Sequence, residues 1–378
     1  MTADDTRTGA VAGIRTTGVR ARVGAWLSID DGVNLVEGDR RPFSGPRLPR
    51  IERILIALFI GLVSAYLADI AFGNSRFGAK DWTYQWRAGQ ALLAGQNPYD
   101  VIRPAGGYPY ESWYMYPFTA VLAALPFATL AIKLGGALFT GFGAAMLAYA
   151  VSRDGAGRLW LFLGAPFYVT IGVGQWGPLL MAGVLLTPLA WALTCKPTLG
   201  AALFLYRPRW RTVFVCAAFG LLALAVQPTW IRDWLRNAGT VKGHGAPILD
   251  AFGWVPALAL LRWRKPEARL VGAMAFVPQL LFFYDQLPLM LVARSGRAAF
   301  TFAALSWVGW AFAMRACGGA PHCADPSRPW VMWFVYLPVT LYVLGEGLTR
   351  RDITEQWRTL RTMRLGARRQ ATSADGGA

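Results

Sequence analysis

The sequence predicts an all-α integral membrane protein: a polytopic bundle of about 10–12 transmembrane helices with an amphipathic helix on its outer surface. Three observations predict this class. Hydrophobic residues make up 55% of the 378-residue chain and charged residues only 16%, whereas about a quarter of a soluble domain is charged. The mean hydropathy is positive, at +0.35. Apolar stretches recur from Ile54 to Leu348, and about 20 apolar residues cross a bilayer as one helix.

The candidate spans follow one another along most of the chain. In order they are 51–72, 113–131, 134–151, 159–173, 177–194, 196–206, 212–229, 247–261, 268–284, 286–293, 298–315 and 330–347. Segments 196–206 and 286–293 are too short to cross alone. Broken or re-entrant helices are tolerated only where they line a protein cavity. If both segments are re-entrant, the number of spans falls to about ten.

Charge placement predicts the orientation. The net charge of +17 would also suit a nucleic-acid-binding protein, but most basic residues fall on one side of the predicted spans. The positive-inside rule then places both termini in the cytosol. We therefore expect a multi-pass plasma-membrane protein that contacts anionic lipid headgroups and does not bind nucleic acid.

Three regions follow from this topology. Residues 1–50 are rich in Gly, Arg, Thr and Asp with little periodicity, which predicts a largely disordered cytosolic tail. Residues 51–349 form the transmembrane domain, and residues 350–378 form a basic cytosolic tail.

The outer loop RACGGAPHCADP contains Cys317 and Cys323. An outward-facing pair separated by Gly-Gly is able to close a disulfide in an oxidising compartment. The alternative is a metal site that recruits His322 and Asp325. Its spacing matches no common zinc pattern, so we expect the disulfide and no metal.

The longest segment between spans, 73–112, is predicted to lie outside and to contain a helix over 82–94. Trp82, Trp86, Gly89 and Leu93 recur with helical spacing. Gly95 ends the pattern, and an Asn-Pro turn follows. A short helix with tryptophans on one face is expected to lie along the membrane surface at headgroup level.

Asp81 stands where this helix begins, and two interpretations are open. Its carboxylate is either an N-cap that accepts a backbone N–H of the first turn, or a general base that faces a cavity at the membrane surface. The residues alone favour the N-cap.

Four stretches resemble a known enzyme family. The run DWTYQWRAGQALLAGQNPYD at 81–100, followed by YMYPF at 114–118, resembles the first outer loop of the GT-C type polyprenyl-phosphate-mannose-dependent mannosyltransferases, glycosyltransferase family 87. Further matches are GVGQWGPLLM at 172–181, CKPTLGAALFLYRPRWR at 195–211 and FFYDQLPLM at 282–290. They occur in the family's order and cover most of residues 55–293.

The resemblance implies an integral membrane enzyme with an extracytoplasmic active site and no cofactor. It would move mannose, with inversion, from a polyprenyl-phosphate carrier to a lipid-linked or polysaccharide acceptor. Asp81 matches the family's catalytic acid in the first outer loop, which favours the general base over the N-cap.

This chemistry indicates further site residues. An inverting transfer needs a base for the acceptor hydroxyl, and the departing phosphate needs positive charge or N–H donors. Lys196 and Arg87 suit the phosphate. The alternatives are a Lys196 that snorkels to headgroups and an Arg87 that makes an ordinary headgroup contact.

Other polar residues are candidates for the donor's phosphate or sugar. His244 would contact either group or be an exposed loop residue. Asp285 and Gln286 would hold sugar hydroxyls or pair with a cation, since acids at membrane depth are functional candidates. Loop-shaping or cavity-lining roles are expected for Tyr84, Asn97, Pro98, Tyr99 and Tyr116. Gln175 falls near the predicted inner face, which indicates helix packing.

Rival functions stay open. A transporter or lipid flippase would also be polytopic, with broken helices and buried charges. A transferase for another carrier-linked sugar such as arabinose, or a structural subunit without chemistry, would share the fold. The sequence shows no internal repeat, and its polar residues gather at the predicted outer face, which favours an enzyme.

Overall fold

The computed structural model describes residues 48–73, 78–240, 245–318 and 324–346, and these are helical. No β-strand forms within these ranges, where Gly245 and Gln279 make an isolated antiparallel bridge. The predicted tails, 1–50 and 350–378, lie almost entirely outside the described residues.

Fifteen α-helices follow in the described ranges. They are α1 (Arg50–Gly73), α2 (Trp82–Leu93), α3 (Pro98–Val101), α4 (Phe118–Ala128), α5 (Ile132–Val151), α6 (Ala165–Val173), α7 (Gly177–Leu185), α8 (Pro197–Tyr206), α9 (Trp210–Val226), α10 (Trp230–Ala238), α11 (Trp254–Ala257), α12 (Pro266–Phe276), α13 (Gly296–Ala316), α14 (Ala324–Val331) and α15 (Leu337–Gly345). Short 3₁₀ segments lie at Ser152–Asp154, Ala156–Leu163, Thr187–Cys195, Pro247–Leu249, Leu258–Arg262 and Tyr284–Val292, and a π-helical turn lies at Met332–Tyr336.

Two helices in the described ranges are long and apolar enough to cross a membrane: α1 and the helix that runs from Ile132 to Asp154. Two bent pairs would raise the number to four. Ala156–Leu163 and α6 meet at 60°, and α9 and α10 meet at 99°. The expected 10–12 continuous spans are therefore not seen as unbroken helices, and the number of membrane crossings stays a prediction.

Helices α1 and α5 pack through small residues. A Cβ at Gly61 would lie 2.8 Å from the Ala145 Cβ, and a Cβ at Gly141 would lie 2.7 Å from the Gly61 carbonyl oxygen. Side chains there would push the helices apart. Close backbone approach through glycine is typical of helix pairs in membranes, where dispersion contacts drive association.

Proline interrupts several other predicted spans. Segment 177–194 divides into two pieces, α7 and the 3₁₀ segment Thr187–Cys195. Pro188 is the second residue of that 3₁₀ segment. Segment 286–293 is part of a fully buried 3₁₀ segment with Pro288 inside. Proline removes a backbone donor and clashes with the preceding turn, so these stretches form short buried pieces.

The helix predicted over 82–94 is present as α2, and Gly95 follows it with a φ of 71°. The expected headgroup placement of its tryptophan face is wrong for Trp82. That side chain is fully buried and stacks on Phe139 at a centroid distance of 4.7 Å. The Trp86 indole N–H donates to the Leu130 carbonyl at 2.8 Å. The tryptophans therefore attach α2 to its neighbouring helices, through aromatic stacking and an indole hydrogen bond.

Candidate functional site

A left-handed turn after α6 brings two distant segments together. Gly174 ends this helix at a φ of 73°, a conformation that glycine adopts without strain. The Asp81 backbone N–H donates to the Val173 carbonyl at 3.1 Å. A Cβ at Gly174 would lie only 2.9 Å from the Trp82 Cβ. Glycine at this position therefore allows residue 175 to lie beside the start of α2.

The Asp81 carboxylate points away from the helix that it precedes. The residue has helical backbone angles and makes no side-chain capping hydrogen bond to α2. Its Oδ2 instead accepts a hydrogen bond from the Gln175 Nε2 at 2.5 Å. The N-cap interpretation is therefore wrong.

Gln175 connects three groups of the site. Its Nε2 donates to Asp81 and to the Tyr116 hydroxyl at 3.3 Å, and its Oε1 accepts from the Lys196 Nζ at 3.4 Å. An ammonium only donates and an ionised carboxylate only accepts, so the two charged neighbours determine which end of the amide faces each. The predicted helix-packing role of Gln175 is wrong, because the residue lines the cavity and hydrogen-bonds to Asp81. The predicted topology placed these two residues at opposite faces, and the structure places them in contact. The nine-residue α6 rises only about 14 Å, roughly half of a bilayer core.

Lys196 has a buried acidic partner. Its Nζ lies 2.6 Å from the Asp285 Oδ1, and Asp285 is 1% exposed. The other carboxylate oxygen of Asp285 accepts the Leu280 backbone N–H at 2.9 Å. The Lys196 ammonium also lies 5.2 Å from the centroid of the Tyr284 ring. Burial of an ammonium is costly unless it is paired and hydrogen-bonded, and Lys196 meets both conditions.

These groups surround a cavity of about 570 Å³, a size that suits a small-molecule site. Its lining is mixed, with apolar and aromatic side chains and a few polar ones. The lining residues are Lys80, Asp81, Tyr84, Tyr110, Glu111, Met115, Tyr116, Pro117, Gln175, Lys196, Pro197, Thr198, Trp234, Ala238, Pro278, Leu280 and Tyr284. Asp285 is absent from this lining and contacts the Lys196 ammonium from outside the cavity.

One wall of the cavity is aromatic. The rings of Tyr84 and Tyr110 have centroids 3.8 Å apart, and the Tyr84 hydroxyl is hydrogen-bonded to Ser112. Burial raises the pKa of Tyr84 to about 12, so its hydroxyl keeps its proton at neutral pH. The Trp234 indole N–H donates to the Met115 carbonyl at 2.9 Å, which leaves the ring face beside the cavity.

The residues predicted to shape the loop are hydrogen-bonded within it. The Asn97 side chain caps α3 by accepting the Tyr99 N–H at 3.1 Å, and Pro98 is the first residue of that helix. The Tyr99 hydroxyl donates to the Tyr116 carbonyl at 2.9 Å, and the Asn237 Nδ2 donates to the Tyr99 carbonyl at 3.0 Å. This network joins the segment before α4 to α10.

Other predicted residues lie away from the cavity lining. The Arg87 guanidinium lies 5.2 Å from the centroid of the Tyr110 ring. Gln286 is fully buried, and its Nε2 donates to the Gln279 Oε1 at 2.7 Å. His244 lies outside the described residues.

The disulfide and metal predictions concern a loop of which the described residues cover only part. Cys317 is disulfide-bonded, and its predicted partner Cys323 lies outside the described residues. Within the described ranges, no group of three or more His, Cys, Asp or Glu residues is placed to hold a metal ion.

Sequence reasoning missed Lys80 and misplaced Gln175. Lys80 precedes Asp81 in a left-handed conformation with a φ of 52°, and its carbonyl accepts the Tyr110 hydroxyl at 3.1 Å. The scarcity of lysine in this chain was the available signal for Lys80.

Comparison of the chain with protein-family models, curated proteins and solved structures gave no match.

Proposed function

We propose that this protein is a membrane glycosyltransferase that moves a sugar from a polyprenyl-phosphate carrier to a hydroxyl acceptor. One observation carries the proposal. The Asp81 carboxylate lines a cavity, held by Gln175, and the same amide contacts a lysine ammonium. A fixed base and a fixed cation around one space are what an inverting transfer from a phosphate carrier needs.

Asp81 is the proposed general base. Its carboxylate takes the proton of the acceptor hydroxyl while that oxygen attacks the anomeric carbon on the face opposite the phosphate. The new glycosidic bond forms as the bond between the anomeric carbon and the phosphate oxygen breaks. The phosphate keeps that electron pair and leaves as an anion, so a general acid is unnecessary.

Lys196 is the proposed stabiliser of the departing phosphate. Fixed positive charge acts most strongly where charge develops in a site of low dielectric constant. Asp285 holds the ammonium through a 2.6 Å ion pair, so the cation needs little reorganisation when the phosphate departs. Asp285 is therefore a positioning residue in this proposal.

The cavity also suits an amphiphilic donor. Apolar side chains line it beside the charged groups, among them Met115, Pro278 and Leu280. Such a surface would accommodate the first units of a prenyl chain while the phosphate contacts the cations. Mannose as the sugar, a lipid or glycan acceptor and an extracytoplasmic site at the plasma membrane follow from the family resemblance.

Transfer by the purified protein in proteoliposomes tests the proposal. Radiolabelled polyprenyl-phospho-mannose is supplied with a lipid acceptor, and labelled product is measured. We expect Asp81→Asn to lower the rate by at least about 10²-fold, since a general base contributes 10²–10⁴-fold. Transfer by Asp81→Asn at the wild-type rate would contradict the mechanism.

Asp69→Asn is the matched control. Asp69 is an exposed acid near the end of α1 and does not line the cavity, so we expect an unchanged rate. Movement of labelled donor across the bilayer without any labelled product would instead indicate the flippase.

A further inference from the structure

The two lysines of the cavity have different charge environments. Lys196 is neutralised by Asp285 at 2.6 Å. Lys80 lines the same cavity, yet its ammonium makes no hydrogen bond or ion pair with any residue in the part of the chain that the structure describes. A partly buried cation without a partner carries a desolvation cost that a bound anion would offset.

The acids that line the cavity do not supply that partner. The Asp81 carboxylate is engaged by Gln175, and Glu111 is exposed. Burial lowers the pKa of Lys80, and the attraction of Asp81 offsets only part of this shift. Of the two lysines, Lys80 therefore has less of its positive charge neutralised by a nearby acid than Lys196.

The backbone holds Lys80 in an uncommon conformation. A non-glycine residue with a φ of 52° is in the left-handed region, which few such residues adopt. Hydrogen bonds hold it there, from the Tyr110 hydroxyl to its carbonyl and from the next N–H to Val173. Such conformations persist where the surroundings impose them, often at ligand sites.

We infer that Lys80 is the principal contact for the phosphate monoester of the free prenyl phosphate that sugar transfer releases. This inference rests on the proposed function for its choice of ligand. Lys196, already paired, has the secondary role of stabilising charge that develops during transfer. A phosphate monoester approaches two negative charges at neutral pH. It therefore gains more from an uncompensated ammonium than a phosphodiester does, whether that diester is a lipid headgroup or the sugar-bearing donor.

Chemical labelling measures this binding without any catalytic turnover. Pyridoxal 5′-phosphate forms an imine with an unprotonated lysine amine, and borohydride reduces the imine to a stable amine. The full-length protein in neutral detergent is treated in this way, and modification of each lysine is quantified by mass spectrometry. Farnesyl phosphate, farnesol, inorganic phosphate and phosphatidylglycerol are compared as protectants.

We expect farnesyl phosphate to protect Lys80 at a concentration at least tenfold below that of inorganic phosphate. Farnesol and phosphatidylglycerol should not protect it at that concentration. Equal protection by farnesol would show that the site recognises the apolar chain and not the phosphate. Equal protection by phosphatidylglycerol would show that the site binds lipid headgroups in general. Either result, or no protection by farnesyl phosphate, would overturn the inference.

Direct binding of radiolabelled farnesyl phosphate gives a second measurement should Lys80 resist labelling. We expect Lys80→Met to weaken the Kd at least tenfold. Lys133→Met is the matched control, because Lys133 is exposed and lies outside the cavity lining. An unchanged Kd for Lys80→Met would overturn the inference.

The two failures are distinguishable. If the wild-type protein binds farnesyl phosphate through Lys80 but never transfers sugar, the proposed function fails and the binding inference stands. If sugar transfer occurs and Lys80→Met leaves the Kd unchanged, the proposed function stands and the role of Lys80 is wrong.

Discussion

Two largely buried clusters in this protein both pair cations with carboxylates but have different roles. In the cavity, Lys196 pairs with Asp285, and its ammonium also faces open space. In the second cluster, Arg294 makes two hydrogen bonds to Glu267, at 2.9 and 2.6 Å, and a third contact to Glu346 at 2.9 Å.

The second cluster lies away from the cavity, and none of its members lines it. Lys265 lies 3.5 Å from the Glu346 carboxylate, and the Arg262 guanidinium donates to the carbonyls at the end of α15. The difference teaches that an ion pair indicates a binding site when part of its polar surface faces space that a ligand is able to enter. The second cluster instead holds helices together.

The largest expected effect comes from breaking the second cluster, around Arg294. Arg294→Met leaves Glu267 and Glu346 buried without their main partner, and removing one member of a buried pair costs about 3–5 kcal/mol. We expect a large loss of thermal stability in detergent. Arg294→Met with Glu267→Gln should regain part of it, and the protein that stays folded should transfer sugar at nearly the wild-type rate. A loss of transfer that exceeds the loss of folded protein would contradict the purely structural role.

The cavity pair should behave differently under the same treatment. Lys196→Met leaves Asp285 uncompensated and is expected to cost somewhat less, about 3 kcal/mol, because one acid loses its partner instead of two. Adding Asp285→Asn should restore most of the stability but not the transfer rate. Thermal unfolding and transfer assays on both variants check this separation. If transfer returned together with stability, Lys196 would have the same structural role as Arg294.

Two glycine substitutions in and beside α6 test the turn that places Gln175 against Asp81. Gly174→Ala adds a Cβ close to Trp82 at a φ of 73°, which is expected to cost about 1–3 kcal/mol. Displacement of Gln175 should also lower transfer. Gly172→Ala is the control, since a Cβ there meets nothing within 4 Å. It should be neutral or stabilise α6 by up to about 1 kcal/mol. Equal melting temperatures for the two variants would contradict the role of Gly174.

The smallest expected effect on stability comes from Gln175→Leu. The amide's hydrogen bonds are lost, a net cost of about 1–2 kcal/mol, while the Asp81 carboxylate loses the group that orients it. We expect a transfer rate at least tenfold lower with KM for the donor little changed. Gln90→Leu removes another amide, which donates to the Ala128 carbonyl at 2.6 Å, and should lower stability but not the rate. Equal rates for the two variants would contradict the positioning role.

Part of the site was predictable because its signals are local. The period of the tryptophans and the following glycine predicted the helix that begins at Trp82 and its end. The rarity of lysine and acid in apolar stretches indicated Lys196 and Asp285, because uncompensated charge at membrane depth is costly. Their pairing was among the open alternatives and is present at 2.6 Å.

The rest of the site depends on contacts between distant positions. Gln175 and Asp81 are 94 positions apart, and their contact requires a short helix that ends at Gly174. The hydropathy pattern predicts α6 and the segment before it as one continuous span. That topology placed Gln175 at the face opposite Asp81. The 60° bend between the two pieces follows from packing and from Pro166 at the start of α6.

The sequence alone determined the helical class, the apolar segments and the presence of a polar segment before α4, because composition and periodicity are properties of neighbouring residues. Only the tertiary structure decided that the Asp81 carboxylate faces a cavity and that Gln175 joins it to Lys196. It also decided that Lys80 lines the same space without an ion pair to any residue in the described ranges. Those outcomes depend on which helix pieces pack together, and packing is decided by shape and burial over the whole chain.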